Sequence, residues 1–324
     1  MTVYQMPLRE LQSLGELKQV EARLREICRG DDQWTPLFSS TVTGGGKRLR
    51  PALVILCGSF LPAPKSELID VATAVELIHA ASLVHDDVID HASSRRGRPT
   101  VSAQWGEHQA VLYGDFLFAR SFSLLTKHGH SGILGNMTRA ISLMCEGEIE
   151  QFARRYDCSI TEADYMSYIH KKTAFFLSAC CLAGAEVCGL PHVQRKLLAA
   201  FGLQLGYAFQ ITDDLLDYCG SADQTGKPVL HDLAEGYLTL PVIKLLEQPQ
   251  YRVRVQDIIT QQDFGAENLA YIQNALEVSG ILVDIRRKAR ATVARAKQNV
   301  GKLPSKPQRV ILSRLADYIT QRSR

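Results

Sequence analysis

The sequence of 324 residues predicts an all-α protein built as a single large helical domain. Apolar residues recur at intervals of three to four, as in LQSLGELKQVEARLREI (11–27) and KLLAAFGLQLGYAFQITDDLLDY (196–218), and this period places them on one face of a helix. Alternating, strand-like segments are missing. The interruptions are short and rich in Gly and Pro, so we interpret them as turns. A helical domain of this size can hold a site in its core, between facing helices.

The composition predicts an ample hydrophobic core and a basic C-terminal tail. Hydrophobic residues make up 46% of the chain and charged residues 22%, and the net charge is +3, which is an ordinary globular balance. Residues 286–324 contain twelve Lys and Arg but one acid, Asp317. We expect this tail to form a solvated face of terminal helices. Peripheral attraction to an anionic membrane surface is the alternative.

The cysteines and the N-terminal segment favour a cytoplasmic protein. None of the eight cysteines forms a C-x-x-C pair, and most lie in apolar stretches, which is typical of small buried hydrophobes in a reducing compartment. The first twenty residues lack the hydrophobic stretch of a signal peptide. No run of about 18 apolar residues suggests a membrane span. We also expect no nucleic-acid partner.

The helix predicted for VATAVELIHAASLVHDDVID (71–90) ends in a cluster of carboxylates. Asp86 and Asp90 are four residues apart and share a face, with Asp87 beside them. Like charges at this spacing repel each other and destabilise a helix. A lone D-D-x-x-D is weak evidence, because a solvated acidic helix end has the same pattern.

A second copy of the pattern, in QITDDLLDY, makes a surface role much less plausible. Asp213, Asp214 and Asp217 have the same spacing and also lie late in a long helix. Mg²⁺ prefers oxygen ligands and is usually held by one or two carboxylates while substrate phosphates complete its shell. The two clusters therefore predict a site that clamps a diphosphate through bridging metal ions.

Cations accompany both clusters. TGGGKRLRP is a Gly-rich turn that opens a helix and can approach a phosphate closely, although it lacks P-loop spacing and alone could be a flexible basic loop. Arginine binds phosphate oxygens bidentately, and two arginines follow the first cluster. The candidate phosphate-binding cations are Lys47, Arg48, Arg50, Arg95, Arg96, Lys171, Lys172 and Lys227.

Two further groups of residues, one on each long helix, leave alternatives open. Gly202 and Gly206 share a stripe with Gln210, which fits either close helix packing or a cavity wall that leads to the metal site. His79 is by itself most simply a satisfied core histidine. Glu76 and His79 form one E-x-x-H, but a di-iron bundle needs two such motifs, so we reject that function.

Together these segments resemble the trans-polyprenyl diphosphate synthases, most closely the catalytic subunit of heptaprenyl diphosphate synthase. The likeness covers nearly the whole chain and rests on GGGKRLRP, ELIHAASLVHDDVIDHASSRRGRPT, YGDFLFARSF, GEIEQ, KKTAFF, FQITDDLLDY and YLTLPVIKLL, in the family's order. The resemblance implies an all-α fold around a central cavity and the extension of an allylic diphosphate by isopentenyl diphosphate. It also implies a homodimer or a heteromer with a small regulatory subunit.

The resemblance assigns roles to the candidate residues. It implies that Mg²⁺, three ions per site, joins the allylic diphosphate to Asp86, Asp87, Asp90, Asp213, Asp214 and Asp217. It places Arg95, Lys172 and Lys227 on the same diphosphate. It implies that isopentenyl diphosphate binds without metal to Lys47, Arg50, His79 and Arg96. Thr173 and Gln210 would face the allylic cation with oxygen dipoles. The isopentenyl double bond would attack that cation, and the departing diphosphate would take the proton that is then lost.

The resemblance also bears on product length. Short-chain members carry a bulky aromatic residue four or five positions before the first aspartate, where this chain has Ser82 and Ala81. An open floor at these positions predicts a medium or long product, namely heptaprenyl diphosphate made from farnesyl or geranylgeranyl diphosphate for a menaquinone or other quinone side chain. Two departures from the family pattern are Tyr237, where a lysine is usual, and Leu230, where a glycine is usual.

Other functions remain as alternatives. The chain could make a shorter product, geranylgeranyl diphosphate, or be an active subunit that needs a small partner. A subunit that only supports a partner is opposed by the intact aspartate motifs. Terpene cyclases share the first motif but usually carry an Asn/Ser/Glu triad in place of the second, so DDLLD and GGGKRLRP oppose that class.

Overall fold

The computed structural model describes residues 11, 14–28, 46–95, 97–219 and 230–321, and within them the all-α prediction is confirmed. The helices in the first part of the chain are α1 (Gly15–Ile27), α2 (Leu49–Gly58), α3 (Lys65–Ile89), α4 (Val101–Trp105), α5 (Glu107–Thr126) and α6 (Ser131–Ala153). The later helices are α7 (Glu162–Ile169), α8 (Phe175–Val187), α9 (His192–Cys219), α10 (His231–Ala234), α11 (Leu240–Leu246), α12 (Pro249–Gln261), α13 (Ala266–Val278), α14 (Ile281–Gly301) and α15 (Pro307–Gln321). A two-stranded antiparallel hairpin, β1 (Ser94–Arg95) and β2 (Arg98–Pro99), follows α3.

The described residues form two compact units. The first unit contains those within Met1–Arg139, Ala179–Ala199 and Leu303–Leu312, and the second those within Ala140–Ser178, Ala200–Lys302 and Ser313–Arg324. A single domain over residues 1–324, arranged around a central cavity, stays a prediction.

Helix α3 is the central helix of the first unit. By length and composition its 25 residues could cross a membrane, but 78% of its most apolar window is buried inside the protein. The expectation that the sequence has no run of about 18 apolar residues still holds, because Glu76 interrupts the apolar stretch of α3. The burial of α3 shows that it is a core helix of this unit, where apolar residues surround it on most sides.

Small residues let α2 and α8 approach closely in the first unit. A Cβ on Gly184 would lie 2.1 Å from the carbonyl oxygen of Val54, and one on Gly58 would lie 3.1 Å from the carbonyl oxygen of Gly184. Five cysteines are buried as predicted: Cys28, Cys57, Cys180, Cys181 and Cys188. The prediction was wrong for Cys145 and Cys219, which are exposed.

In the second unit, α7 runs into α8 through a π-helical turn. The hydroxyl of Thr161 and the carboxylate of Asp164 form a reciprocal capping box that fixes the start of α7, and such boxes satisfy otherwise unpaired N–H groups. The π-helical turn spans His170–Ala174 and contains the KKT motif. Single π-helical turns occur frequently at functional sites.

The basic tail is helical in its described part. Helix α14 buries Ile285, Ala289 and Val293 on one face, a spacing of four that matches the helical period. The acid of the tail, Asp317 on α15, accepts bonds from Lys297 on α14 at 2.9 and 2.8 Å. This ion pair fixes one charge of the tail within the second unit.

Candidate active site

The first aspartate motif lies at the C-terminal end of α3, which closes in a Schellman motif. The N–H of Ala92 donates to the carbonyl of Asp87 at 3.0 Å, and the N–H of His91 donates to that of Val88 at 3.2 Å. This arrangement needs a left-handed residue after the cap, and His91 adopts it with φ 49°. Such a conformation is uncommon for a residue other than glycine, so the turn that ends the motif is strained.

The β1–β2 hairpin brings Arg95 back onto the motif. The Thr100 hydroxyl donates to the carbonyl of Ala92 at 2.7 Å and ties the end of the hairpin to its start. Arg95 Nε then donates to Asp87 Oδ1 at 2.7 Å. Asp87 is buried, Asp86 half-buried and Asp90 exposed. The cation therefore relieves the repulsion predicted among the three carboxylates by pairing with the buried one.

Other predicted residues occupy the preceding turns of α3. Ala81 is fully buried, whereas His79 and Ser82 are half-buried. The Ser82 hydroxyl donates to the carbonyl of His79 at 3.0 Å, so its hydrogen is used within the helix. The structure thus presents a small side chain at each position where the resemblance implies an aromatic residue in short-chain members.

Sequence reasoning assigned no role to His85. In the structure this side chain explains why the YGDFLFARSF segment has a glycine at position 114. A Cβ on Gly114 would lie 2.1 Å from His85 Nε2, so the imidazole occupies the space that another residue would need. The same nitrogen lies 3.1 Å from the carbonyl oxygen of Val111. Helices α3 and α5 therefore meet one residue before the first aspartate.

The predicted cations of the Gly-rich segment lie where α2 begins. Lys47 is exposed just before the helix, and Arg50 is half-buried in its first turn. The N-cap residue of α2, Arg48, makes no side-chain cap bond in the part of the chain that the structure describes, so it leaves the first N–H groups of the helix for other acceptors. Arg96 and Lys227, also predicted to bind diphosphates, lie outside the described residues.

The three aspartates of the second motif have different environments. Asp213 is exposed, Asp214 is buried and Asp217 is half-buried. The carboxylate of Asp217 accepts the N–H groups of His231 and Asp232 at 3.2 and 3.3 Å, and an anion at this place favours the start of α10. Sequence reasoning had predicted Asp217 as a metal ligand, and the structure adds this structural role.

A buried chain of hydrogen bonds links Thr173 to the second motif. The Thr173 hydroxyl donates to Gln210 Oε1 at 2.7 Å, and Gln210 Nε2 donates to Asp214 Oδ1 at 2.7 Å. The hydroxyl of Tyr165 donates to the other carboxylate oxygen of Asp214 at 2.6 Å. The structure therefore brings three predicted residues together and adds Tyr165, which no local pattern had indicated.

Burial has the largest effect on the charge state of Asp214, the carboxyl group of this hydrogen-bonded chain. It raises the pKa of the Asp214 carboxyl to about 7, and the charges of Asp232 and Asp213 act in the same direction. Hydrogen bonds from Tyr165 and Gln210 oppose this rise because they stabilise the carboxylate. Burial also raises the pKa of Tyr165 well above its usual value, so its hydroxyl keeps the hydrogen that it donates.

Lys172 is held by the GEIEQ segment of α6. Its Nζ lies 2.6 Å from Glu148 Oε2 and donates to Gln151 Oε1 at 2.7 Å. A Cβ on Gly147 would lie 3.0 Å from Lys172 Cγ, so the glycine leaves room for the lysine stem. This segment is part of the family resemblance, and the structure shows that it supports a predicted phosphate-binding lysine.

The glycine stripe of α9 serves helix packing at Gly206. A Cβ there would lie 2.4 Å from the Cα of Ala174 in the π-helical turn. The backbones of the two segments therefore touch, and this contact holds Thr173 beside Gln210. At this position packing, rather than a cavity wall, accounts for the glycine.

The two departures from the family pattern have local explanations. Leu230 has φ 61° and ψ 29°, a conformation that favours glycine and costs another residue roughly 1–2 kcal/mol. Its side chain is buried, which offsets that cost. The ring of Tyr237 lies under the guanidinium of Arg155, 5.4 Å from the ring centroid, and this contact fills the position where the family usually has a lysine.

The donor set suits a hard divalent cation that binds together with a diphosphate. Among the residues that the structure describes, no group of three or more His, Cys, Asp or Glu side chains is placed to hold a metal by itself. Both motifs offer carboxylate oxygens only, and Mg²⁺ usually takes one or two carboxylates while substrate phosphates and water supply the rest. The residues therefore fit Mg²⁺ bound with substrate.

Comparison with known proteins supports this chemistry. The Polyprenyl synthetase family model matches residues 32–276. Heptaprenyl diphosphate synthase component 2 of Geobacillus stearothermophilus is 38% identical over 315 residues, which cover 95% of this chain and 96% of that protein. The crystal structure of a decaprenyl diphosphate synthase from Rhodobacter capsulatus matches with a TM-score of 0.90 and 34% identity, covering 99% of each chain.

A further solved structure contains both a cation and a substrate-like molecule. It is a polyprenyl synthase from Caulobacter crescentus CB15 complexed with calcium and isoprenyl diphosphate, with a TM-score of 0.90 and 31% identity, covering 99% of this chain and 98% of that one. The present chain belongs to the polyprenyl synthetase family. It is a trans-prenyltransferase that elongates a prenyl diphosphate, so the predicted family and enzyme class are confirmed.

Proposed function

We propose that the chain adds isopentenyl diphosphate units to farnesyl or geranylgeranyl diphosphate and releases all-trans heptaprenyl diphosphate. The observation that carries this proposal is the series of hydrogen bonds from Thr173 through Gln210 to Asp214. These bonds join a predicted cation-facing hydroxyl to a predicted diphosphate-binding motif. When bound, Mg²⁺ supplies charge that stabilises the leaving diphosphate. We expect three such ions, held by Asp86, Asp87, Asp90, Asp213, Asp214 and Asp217.

The residues around these hydrogen bonds suit the formation of an allylic cation. The hydrogen of Thr173 is donated to Gln210, so the lone pairs of its hydroxyl oxygen are left to face a positive charge. Lys172, in the same π-helical turn, is available to bind a phosphate oxygen in place of Glu148 or Gln151. Fixed dipoles that stabilise developing charge are usually the largest contribution to such catalysis. We expect the departing diphosphate to take the proton.

Heptaprenyl diphosphate is the product that the small residues on α3 favour. One helical turn rises about 5.4 Å, close to the length of one isoprene unit, so a chain growing along α3 would pass Ser82 and Ala81 first. The similarity to a heptaprenyl synthase component supports seven units, whereas the similarity to a decaprenyl synthase favours a longer product. A shorter product, geranylgeranyl diphosphate, is the alternative.

The product-length proposal predicts the effect of a bulky residue on α3. Ala81→Phe should shorten the main product, because a phenyl group would block the path one turn above the motif. Chromatography of labelled products measures the shift, with Ala80→Ser as a control at a neighbouring buried position. An unchanged product distribution in a folded, active Ala81→Phe enzyme would contradict the tunnel model.

We propose that the active form is a dimer or a heteromer in the cytoplasm. The name "component 2" of the Geobacillus relative supports a partnership with a second subunit, which we propose is small and regulatory. A quinone side chain, such as that of menaquinone, is the proposed use of the product. The exposed arginines of α14 would serve peripheral contact with an anionic membrane.

Activity of the purified chain tests the proposed function. The chain is incubated alone with Mg²⁺, farnesyl diphosphate and labelled isopentenyl diphosphate, and product length is determined by chromatography. A ladder that ends near seven units supports an autonomous heptaprenyl synthase. Substrate binding without elongation points to a missing partner subunit. Failure of the folded chain to bind either diphosphate contradicts the assignment.

A further inference from the structure

Arg48 has an unusual backbone conformation at the start of α2. It is the residue before the helix and has φ 48° and ψ 39°, in the left-handed region that residues other than glycine rarely adopt. Residues that begin helices normally have an extended backbone and a short polar side chain that caps the first turn. Arg48 has neither feature. The sequence places Arg48 among the cations of the Gly-rich turn, but the resemblance assigns a substrate only to its neighbours Lys47 and Arg50.

The side chain of Arg48 explains how this conformation is held. Its Nε lies 2.5 Å from Glu21 Oε1 on α1, and its Nη1 lies 2.5 Å from Glu76 Oε1 on α3. The exposed fractions of the Arg48 and Glu76 side chains are only 11% and 8%. Burial alone would lower the pKa of the guanidinium, but the two carboxylates outweigh burial and raise it. Arg48 is therefore a permanent, largely buried cation that anchors the segment to two helices.

The cations on either side of Arg48 lie in a different environment from its guanidinium. Lys47 is exposed, and Arg50 is half-buried in the first turn of α2. Within the described residues the N-cap position makes no side-chain cap bond, and such a helix N-terminus favours an anion. A strained residue that several contacts hold in place is a common feature of binding sites. The conformation of Arg48 thus determines how the backbone runs from Lys47 into the first turn of α2, which contains Arg50.

We infer that Arg48 is a positioning residue for the metal-free diphosphate of isopentenyl diphosphate. It acts through Lys47, Arg50 and the N-terminus of α2 and does not contact the substrate, because its guanidinium is engaged by Glu21 and Glu76. This inference rests on the proposed function, which gives Lys47 and Arg50 to isopentenyl diphosphate. Its specific content is that the anchoring of Arg48 determines the affinity for one of the two substrates.

The test compares two arginines that both join α1 to other parts of the first unit. Arg48→Met removes the proposed anchor, and Arg23→Met is the matched control, because Arg23 on α1 pairs with the buried carboxylate of Asp70 on α3 at 3.2 Å. We expect Arg48→Met to raise KM for isopentenyl diphosphate by about ten-fold or more, with kcat and KM for the allylic diphosphate changed by less than about two-fold. Arg23→Met should change neither KM.

A second variant keeps the test valid where Arg48→Met does not fold. Arg48→Gly adopts the left-handed conformation without strain but lacks both ion pairs, so it should also lose affinity for isopentenyl diphosphate. Calorimetry without metal measures that affinity directly in each protein. An equal rise in both KM values, or an unchanged affinity in either folded Arg48 variant, overturns the inference. Failure of the unmodified chain to bind isopentenyl diphosphate overturns the proposed function and the inference with it.

Discussion

Removing the hydroxyl of Tyr165 should destabilise the protein more at high pH than at low pH. Tyr165→Phe deletes the donor that lies 2.6 Å from Asp214 Oδ2, and both side chains are buried. A hydrogen bond to a charged group contributes about 1.5–3 kcal/mol, and one between neutral groups about 0.5–1.5 kcal/mol. The cost of the substitution therefore depends on whether Asp214 is charged.

The pKa of Asp214 determines the two pH values at which the substitution should be compared. Burial raises this pKa to about 7 in the folded protein from an ordinary value of 3.8. Asp214 therefore favours folding at low pH, and this contribution is lost as the pH rises through 7. At about pH 5.5 the folded protein carries a neutral Asp214, and we expect Tyr165→Phe to cost about 1 kcal/mol. At about pH 8.5 the carboxylate is charged, and the cost should be about 2 kcal/mol.

Urea denaturation of the metal-free protein at these two pH values measures the effect. The difference of about 1 kcal/mol corresponds to a rise of somewhat under one unit in the pKa of Asp214 when the hydroxyl is removed. Tyr168→Phe is the matched control, because Tyr168 is also buried on α7 but its hydroxyl contacts Arg154 at 3.4 Å. Equal costs of Tyr165→Phe at both pH values would refute the reasoning.

Three further predictions concern stability and can be checked by the same denaturation measurement. Gly206→Ala should destabilise by about 1–3 kcal/mol, because a Cβ 2.4 Å from Ala174 Cα outweighs the gain of about 1 kcal/mol in helix propensity; a stabilised variant would contradict this packing. Leu230→Gly should also destabilise, by roughly 2 kcal/mol, because losing a buried side chain outweighs the relief of a left-handed backbone, and a net gain would show that strain dominates. Burial would raise the pKa of Asp70, but bonds from Lys127 and His128 lower it below its usual value. Asp70→Asn should therefore cost roughly 2 kcal/mol of stability at neutral pH. This cost should decrease progressively as the pH falls through the pKa of Asp70 in the folded protein. A cost independent of pH would contradict that account.

The parts of the structure that the sequence could predict are those that depend on local spacing. A period of three to four residues determines which face of a helix is buried, so the helical class could be inferred without coordinates. The same spacing placed Asp86 and Asp90 at the end of α3 and Asp213 late in α9. Motif order then indicated the family, because it combines several independent segments.

The rest depends on contacts between residues far apart in the chain. Tyr165 and Asp214 are 49 positions apart, and no pattern near either residue indicates their bond. The strained turn at His91 and the left-handed Leu230 could not be inferred either, since neither residue type normally adopts these conformations. In each case tertiary contacts override the local preference of the residue.

When Asp214 is charged, its charge determines the direction of the hydrogen bonds that link it to Gln210 and Thr173. A carboxylate can only accept, so Gln210 must turn its NH₂ group toward Asp214 and its carbonyl toward Thr173. The hydroxyl of Thr173 must then donate to that carbonyl, and its lone pairs are left for a cation. A protonated Asp214 would permit the opposite orientation, in which Gln210 donates to Thr173 and the hydroxyl hydrogen is released. By stabilising the charged form, Tyr165 favours the orientation in which Thr173 presents an acceptor.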